Sequence, residues 1–122
     1  MKTILIVGAG GFIGAITRYG INIAIAKYWT HNFPLATFLI NVSGSFILGL
    51  FMTWATGRVS IDPMWRLFIA TGFLGAYTTF STFEYETQQL TGTGFPGWAA
   101  FNVIASVLAG FIAVWLGVRM GR

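Results

Sequence analysis

Four long apolar runs, at positions 3–26, 33–56, 64–85 and 95–118, take up most of this 122-residue chain. A helix rises about 1.5 Å per residue, so roughly 20 apolar residues cross a bilayer core of about 30 Å. Each run meets that length. What remains is three short connections and two stub ends, so positions 1–122 are expected to form one domain of four transmembrane helices. Composition points the same way, with 56% hydrophobic and 8% charged residues. A soluble domain carries about 25% charged residues. Too few polar groups are present here to coat a water-facing surface.

The formal charge is +4, but the Lys and Arg residues stand singly at the ends of the runs. That is the membrane pattern, not a basic cluster, so no nucleic-acid partner is expected. Cysteine is absent, which excludes disulfides and thiolate chemistry. Lys2, an apolar run and Ala24-Ile25-Ala26 imitate a signal peptide. The run is longer than a signal h-region and contains Arg18, so it is expected to be retained as a membrane helix.

The opening Gly8-Ala9-Gly10-Gly11-Phe12-Ile13-Gly14 imitates a dinucleotide loop. That loop works only within a βαβ unit, with an acid about 20 residues later for the ribose. The first acid is Asp62, beyond a second apolar run, and the reading fails. Spacing gives these glycines another use. Gly10 and Gly14, Ser45 and Gly49, and Ala105, Ala109, Ala113 and Gly117 recur every fourth position. Small residues at that interval let helix backbones approach closely.

With four crossings, both termini and the middle connection share a side. That side carries Lys2, Arg58, Arg66, Arg119 and Arg122; the other carries Lys27, and Arg18 if its side chain snorkels outward. Five against two places the termini in the cytoplasm. Trp29, Trp54, Trp65, Trp98 and Trp115 lie near run ends and fit an interfacial belt.

Polar residues in hydrocarbon are costly and mark function. Asn41 and Ser43 fall in the second run, Asn102 and Ser106 in the fourth. The third run is the unusual one. Gly72, Gly75 and the cluster Thr78-Thr79-Phe80-Ser81-Thr82 sit near its middle. Such a stretch invites a break in the helix, exposing carbonyls and amides where transported ions bind. The alternative is a continuous helix whose hydroxyls bond back to their own turn. Phe80 and Phe83 share a helix face. They are either plain packing or, beside Ser81, Thr82 and Asn41, the lining of an anion path. Burying a bare ion has an idealised cost of order 20 kcal/mol. Neutral donors replace hydration without trapping the ion, and aromatic edges carry partial positive charge. Such a lining suits a small, strongly hydrated anion and makes a poor cation site.

On these residues the chain resembles the Fluc family of bacterial fluoride channels, also written CrcB. The likeness runs along essentially the whole chain. It includes the glycine-rich start leading to Arg18-Tyr19, Thr37 and Asn41, and Thr71-Gly72-Phe73-Leu74-Gly75 running into Thr79-Phe80-Ser81-Thr82-Phe83 and Glu86. The resemblance implies a multi-pass protein of the inner (plasma) membrane that exports fluoride passively. It implies an antiparallel, dual-topology homodimer with helix 3 broken near mid-membrane and two fluoride pathways. Phe80 and Phe83 would line each pathway, with Asn41 as an amide donor. Ser81, Thr82, Ser106 and Asn102 would supply further polar contacts, and Arg18 a vestibule. A structural sodium ion would sit at the dimer centre on main-chain carbonyls of Gly75 and Thr78. Some family members have Tyr at the place of Asn102 and a second Ser at that of Gly110, so this part of the polar track differs here.

The alternative is a proton-coupled transporter of the small multidrug-resistance type. Such transporters use a Glu in the first helix, and no acid occurs in the first run. Glu84 and Glu86 close the third run, where solvated helix-end acids are expected. His31 is the only histidine, and no nucleophile–base pair or metal constellation is visible, so no enzyme is expected.

Overall fold

The computed structural model describes residues 1–57 and 61–122. Arg58, one of the charges in the topology count, lies outside the described residues. Among the described residues every element of regular secondary structure is a helix. Helix α1 is Lys2–Ala26 and α2 is Leu35–Gly57. A third run, α3, fills positions 63–77: an α-helical start at Pro63–Arg66, a π-helical stretch at Leu67–Leu74 and a last turn at Gly75–Tyr77. Helix α4 is Phe80–Gly92 and α5 is Pro96–Met120.

The helix ends follow local chemistry. Asp62 accepts a hydrogen bond from Met64 N–H, with Pro63 at the first helical position, so α3 starts with a side-chain cap and no wasted donor. Gly94, at φ 89°, supplies the left-handed residue that turns α4 into α5, and Pro96 opens the next helix.

Among the described residues three helices, α1, α2 and α5, are long and apolar enough to cross a membrane. The fourth expected span, 64–85, is instead divided between α3 and α4. Helix α4 also runs past that span through the polar stretch Thr87 to Gly92.

Packing is by glycine on backbone. A Cβ on Gly10 or Gly14 would collide with the carbonyl oxygens of Phe68 and Phe73, and one on Gly72 would lie 2.6 Å from that of Val7. These contacts seat α1 against the π-helical part of α3. On the other side, a Cβ on Gly49 would lie 2.5 Å from the Val114 oxygen, and one on Gly117 would meet Phe46 O. So α2 pairs with α5, while α1 pairs with α3. The buried centre is Ile40, Leu74 and Tyr77, with Ile21, Ile69 and Phe73 around it. Outside, Phe12 and Ile16 on α1 and Phe101, Ile104, Val107, Leu108 and Phe111 on α5 are exposed. Apolar surface of that extent needs a cover other than water.

Candidate functional site

Between α3 and α4 two residues leave helical geometry. Thr78 has φ −79° and ψ 155°, and Thr79 has φ −150° and ψ 113°. Both are extended conformations, which β-branched threonine adopts readily. Asn41 of α2 holds them there. Its Nδ2 donates to Thr79 O at 3.0 Å, and its Oδ1 accepts from Thr79 N–H at 2.8 Å. The amide side chain thus replaces both helical partners of one peptide residue. Thr79 then caps α4, its Oγ1 accepting from Thr82 N–H and donating to Thr82 Oγ1.

This exchange of partners frees two carbonyls. In a continuous helix, Gly75 C=O would take Thr79 N–H, and Thr78 C=O would take Thr82 N–H. Those N–H groups are spent on Asn41 Oδ1 and Thr79 Oγ1. A third carbonyl, Ala76 O, accepts from Arg18 Nε at 3.1 Å, so a fixed cation caps the end of α3. Arg18 therefore turns inward to the break rather than snorkelling to a helix end, and it drops out of the charge count for either side.

The break faces a cleft of about 340 Å³. Asn41, Ser45, Thr78, Thr79 and Ser106 supply its polar atoms, Gly75 part of its floor, and Phe80 and Phe83 its aromatic wall. Among the described residues, no ionisable side chain lines it. Phe80 and Phe83 stand one turn apart with ring centroids 5.8 Å apart and planes at 48°. Phe83 is 6% exposed and Phe80 74%, so the second ring is uncovered in the single chain.

The family profile described as CrcB-like protein, Camphor Resistance (CrcB), matches residues 5–118. The chain belongs to the CrcB family. Among its relatives is a protein of Acidobacterium capsulatum named fluoride-specific ion channel FluC, 45% identical over 95% of this chain and 93% of the relative. The protein named FluC 1 in Listeria innocua is 45% identical over 96% of this chain and 95% of its own. The FluC protein of Campylobacter jejuni is 44% identical over 96% and 95%. With α1, α2 and α5, this CrcB chain is a multi-pass membrane protein.

The structure gathers Asn41, Phe80, Phe83, Ser106, Gly75 and Thr78 around one cleft of the CrcB fold. Ser81 is exposed on the first turn of α4, and Thr82 is tied to Thr79; neither belongs to the cleft lining. Asn102 is 1% exposed and stands behind Ser106, outside the lining. Sequence reasoning named Thr79, whose backbone is the break, and Thr37 only as motif positions and gave neither a role at the site. The Thr37 hydroxyl donates to Glu86 Oε1 at 2.9 Å, while Glu86 Oε2 is buried without a hydrogen-bond partner among the described residues. Glu84 is exposed, as a solvated acid should be, but Glu86 is not. Thr37 and Asn41 lie four apart on α2 and so share the face that meets α4; that spacing was the available signal.

Proposed function

We propose that this chain is a fluoride-selective channel, working as a homodimer that exports fluoride passively across the plasma membrane. The observation that carries this reading is the cleft at the helix break, polar yet free of ionisable side chains among the described residues, in a chain whose relatives are named fluoride channels. The chemistry follows from its lining. Fluoride must shed water to enter a low-dielectric site, and that loss is offset only by close donors. The Ser45 and Ser106 hydroxyls and the spare N–H of Asn41 Nδ2 are such donors. The positive edges of Phe80 and Phe83 add to them. A Lys or Arg in the cleft would bind the ion too tightly for it to leave. Ser81 and Thr82 serve the approach to the cleft, and Arg18 a vestibule on the far side of the break. With no ionisable side chain in the lining among the described residues, the cleft offers no group to couple passage to a proton.

The cleft is open and the Phe80 ring bare, so a second copy is needed to close the path. An antiparallel pair gives two equivalent pathways and brings the two breaks together. The freed carbonyls of Gly75 and Thr78 suit a hard cation such as sodium, which takes oxygen ligands and would offset their exposed negative ends. Bound there, sodium would supply fixed positive charge between the subunits.

Liposomes holding only this purified protein and loaded with fluoride test the proposal. Fluoride should leave far faster than from empty liposomes, and chloride should stay. Equal release of the two halides would refute it.

A further inference from the structure

We infer that Asn102 is a positioning residue that holds the Ser106 hydroxyl proton away from the cleft until an anion draws it out. The inference rests on the fluoride-channel reading and on one directional chain of hydrogen bonds. Ser106 Oγ donates to Asn102 Oδ1 at 3.2 Å. Asn102 Nδ2 donates to Thr87 Oγ1 at 2.9 Å, and Thr87 Oγ1 donates to Phe83 O at 2.8 Å. The first bond lies within α5, the second crosses from α5 to α4, and the third lies within α4. Both ends of the chain are residues of the cleft, Ser106 and Phe83, while in its middle Asn102 is buried and Thr87 half-buried.

A serine hydroxyl has one proton. With that proton given to Asn102, the Ser106 oxygen presents only lone pairs to the cleft, which repel an anion. To coordinate fluoride, the hydroxyl must rotate and leave Asn102 Oδ1. The bond it leaves is the longest in the chain and longer than the usual ~2.7–2.8 Å for O–H···O. It is the link built to yield. Asn102 cannot follow the proton, because its amide is anchored to Thr87 and it is 1% exposed. The ion therefore meets a donor that is supplied on arrival and withdrawn on departure. Binding is weakened by the competing acceptor, and release is correspondingly faster.

The test is fluoride flux in proteoliposomes as a function of fluoride concentration, giving a half-saturating concentration and a maximal flux per folded protein. In Asn102→Leu the competing acceptor is gone. Half-saturation should fall by about fivefold, the factor set by one neutral hydrogen bond, and maximal flux should drop as release slows. Combining it with Ser106→Ala should erase the gain, because the effect passes through that hydroxyl. Thr87→Val, which unanchors the amide, should shift half-saturation in the same direction, and stands in if Asn102→Leu does not fold. A rise in half-saturation that adds to that of Ser106→Ala would overturn the inference and make Asn102 a direct ion contact. Unchanged half-saturation with lower protein stability would reduce Asn102 to a strap between helices and equally overturn it. A wild-type protein without fluoride flux would overturn the channel reading as well.

Discussion

Replacing Asn41 by leucine removes the side chain that substitutes for two backbone partners at once. Its amide makes bonds of 3.0 and 2.8 Å to Thr79, one to the carbonyl and one from the N–H. Leucine has the same branching and number of side-chain heavy atoms, with bulkier methyl ends, so no cavity opens and the lost bonds dominate. Leaving two buried backbone groups unpaired would cost about 1–3 kcal/mol each. Hydrogen bonds measured between membrane helices average nearer 0.6 kcal/mol, with a maximum of about 1.7. Because Thr79 can regain partners by closing the break into a continuous helix, the lower scale applies, and a loss of about 1–3 kcal/mol is expected. That closure would also return Thr79 N–H to Gly75 C=O and remove a free carbonyl from the break. Stability should therefore fall modestly while fluoride flux is lost almost entirely. Asn22→Leu is the control. Its Nδ2 bonds only Arg18 O, a carbonyl already within α1, at 2.9 Å, and should cost less than about 1 kcal/mol. Unfolding in a detergent titration gives the free energies, and proteoliposome flux the function. Asn41→Leu with the stability and flux of Asn22→Leu would refute the account of the break.

Phe83→Ile and Phe80→Ile separate lining from packing: fluoride flux should fall at least tenfold in both, and stability should fall mainly for Phe83, which is 6% exposed against 74%. Wild-type flux in the two folded variants would return the pair to packing. For orientation, Thr93→Cys and Arg122→Cys place single thiols at exposed sites on opposite ends of this cysteine-free chain. In intact cells, an antiparallel dimer predicts external labelling of part of the population at each site, whereas complete labelling of one and none of the other means a parallel pair.

Helices α1, α2 and α5 were legible because hydropathy reports length and composition, and their observed ends fall within two residues of the expected runs. The close-packed glycines were legible too, since four-residue spacing puts them on one face whatever the partner is. The place where the chain leaves helical geometry was less so. Thr78 and Thr79 belong to a Ser/Thr cluster that any window finds, but what holds Thr79 extended is an amide 38 residues away. The π-helical turns at Leu67–Leu74 carry no compositional mark of their own; they lie where α1 glycines press on the carbonyls of Phe68 and Phe73. Polar content misled twice. The Glu86 side chain lies against Thr37 instead of in water, and the stretch from Thr87 to Gly92 is helical despite its polarity, with Leu90 buried. Asn102 was legible as a costly buried amide, but its orientation, turned to Thr87 and not to the cleft, depends on a contact between helices.

The central claim is passive, selective movement of fluoride through a cleft with no titrating group. Its most direct test is the reversal potential of the purified protein in a planar bilayer, under a tenfold fluoride gradient with chloride equal on both sides. A fluoride-selective channel predicts a potential of about 59 mV in magnitude, the value for one charge per tenfold gradient, in the direction set by an anion and unchanged by a pH gradient. A potential near zero, or one that follows the pH gradient, would contradict it.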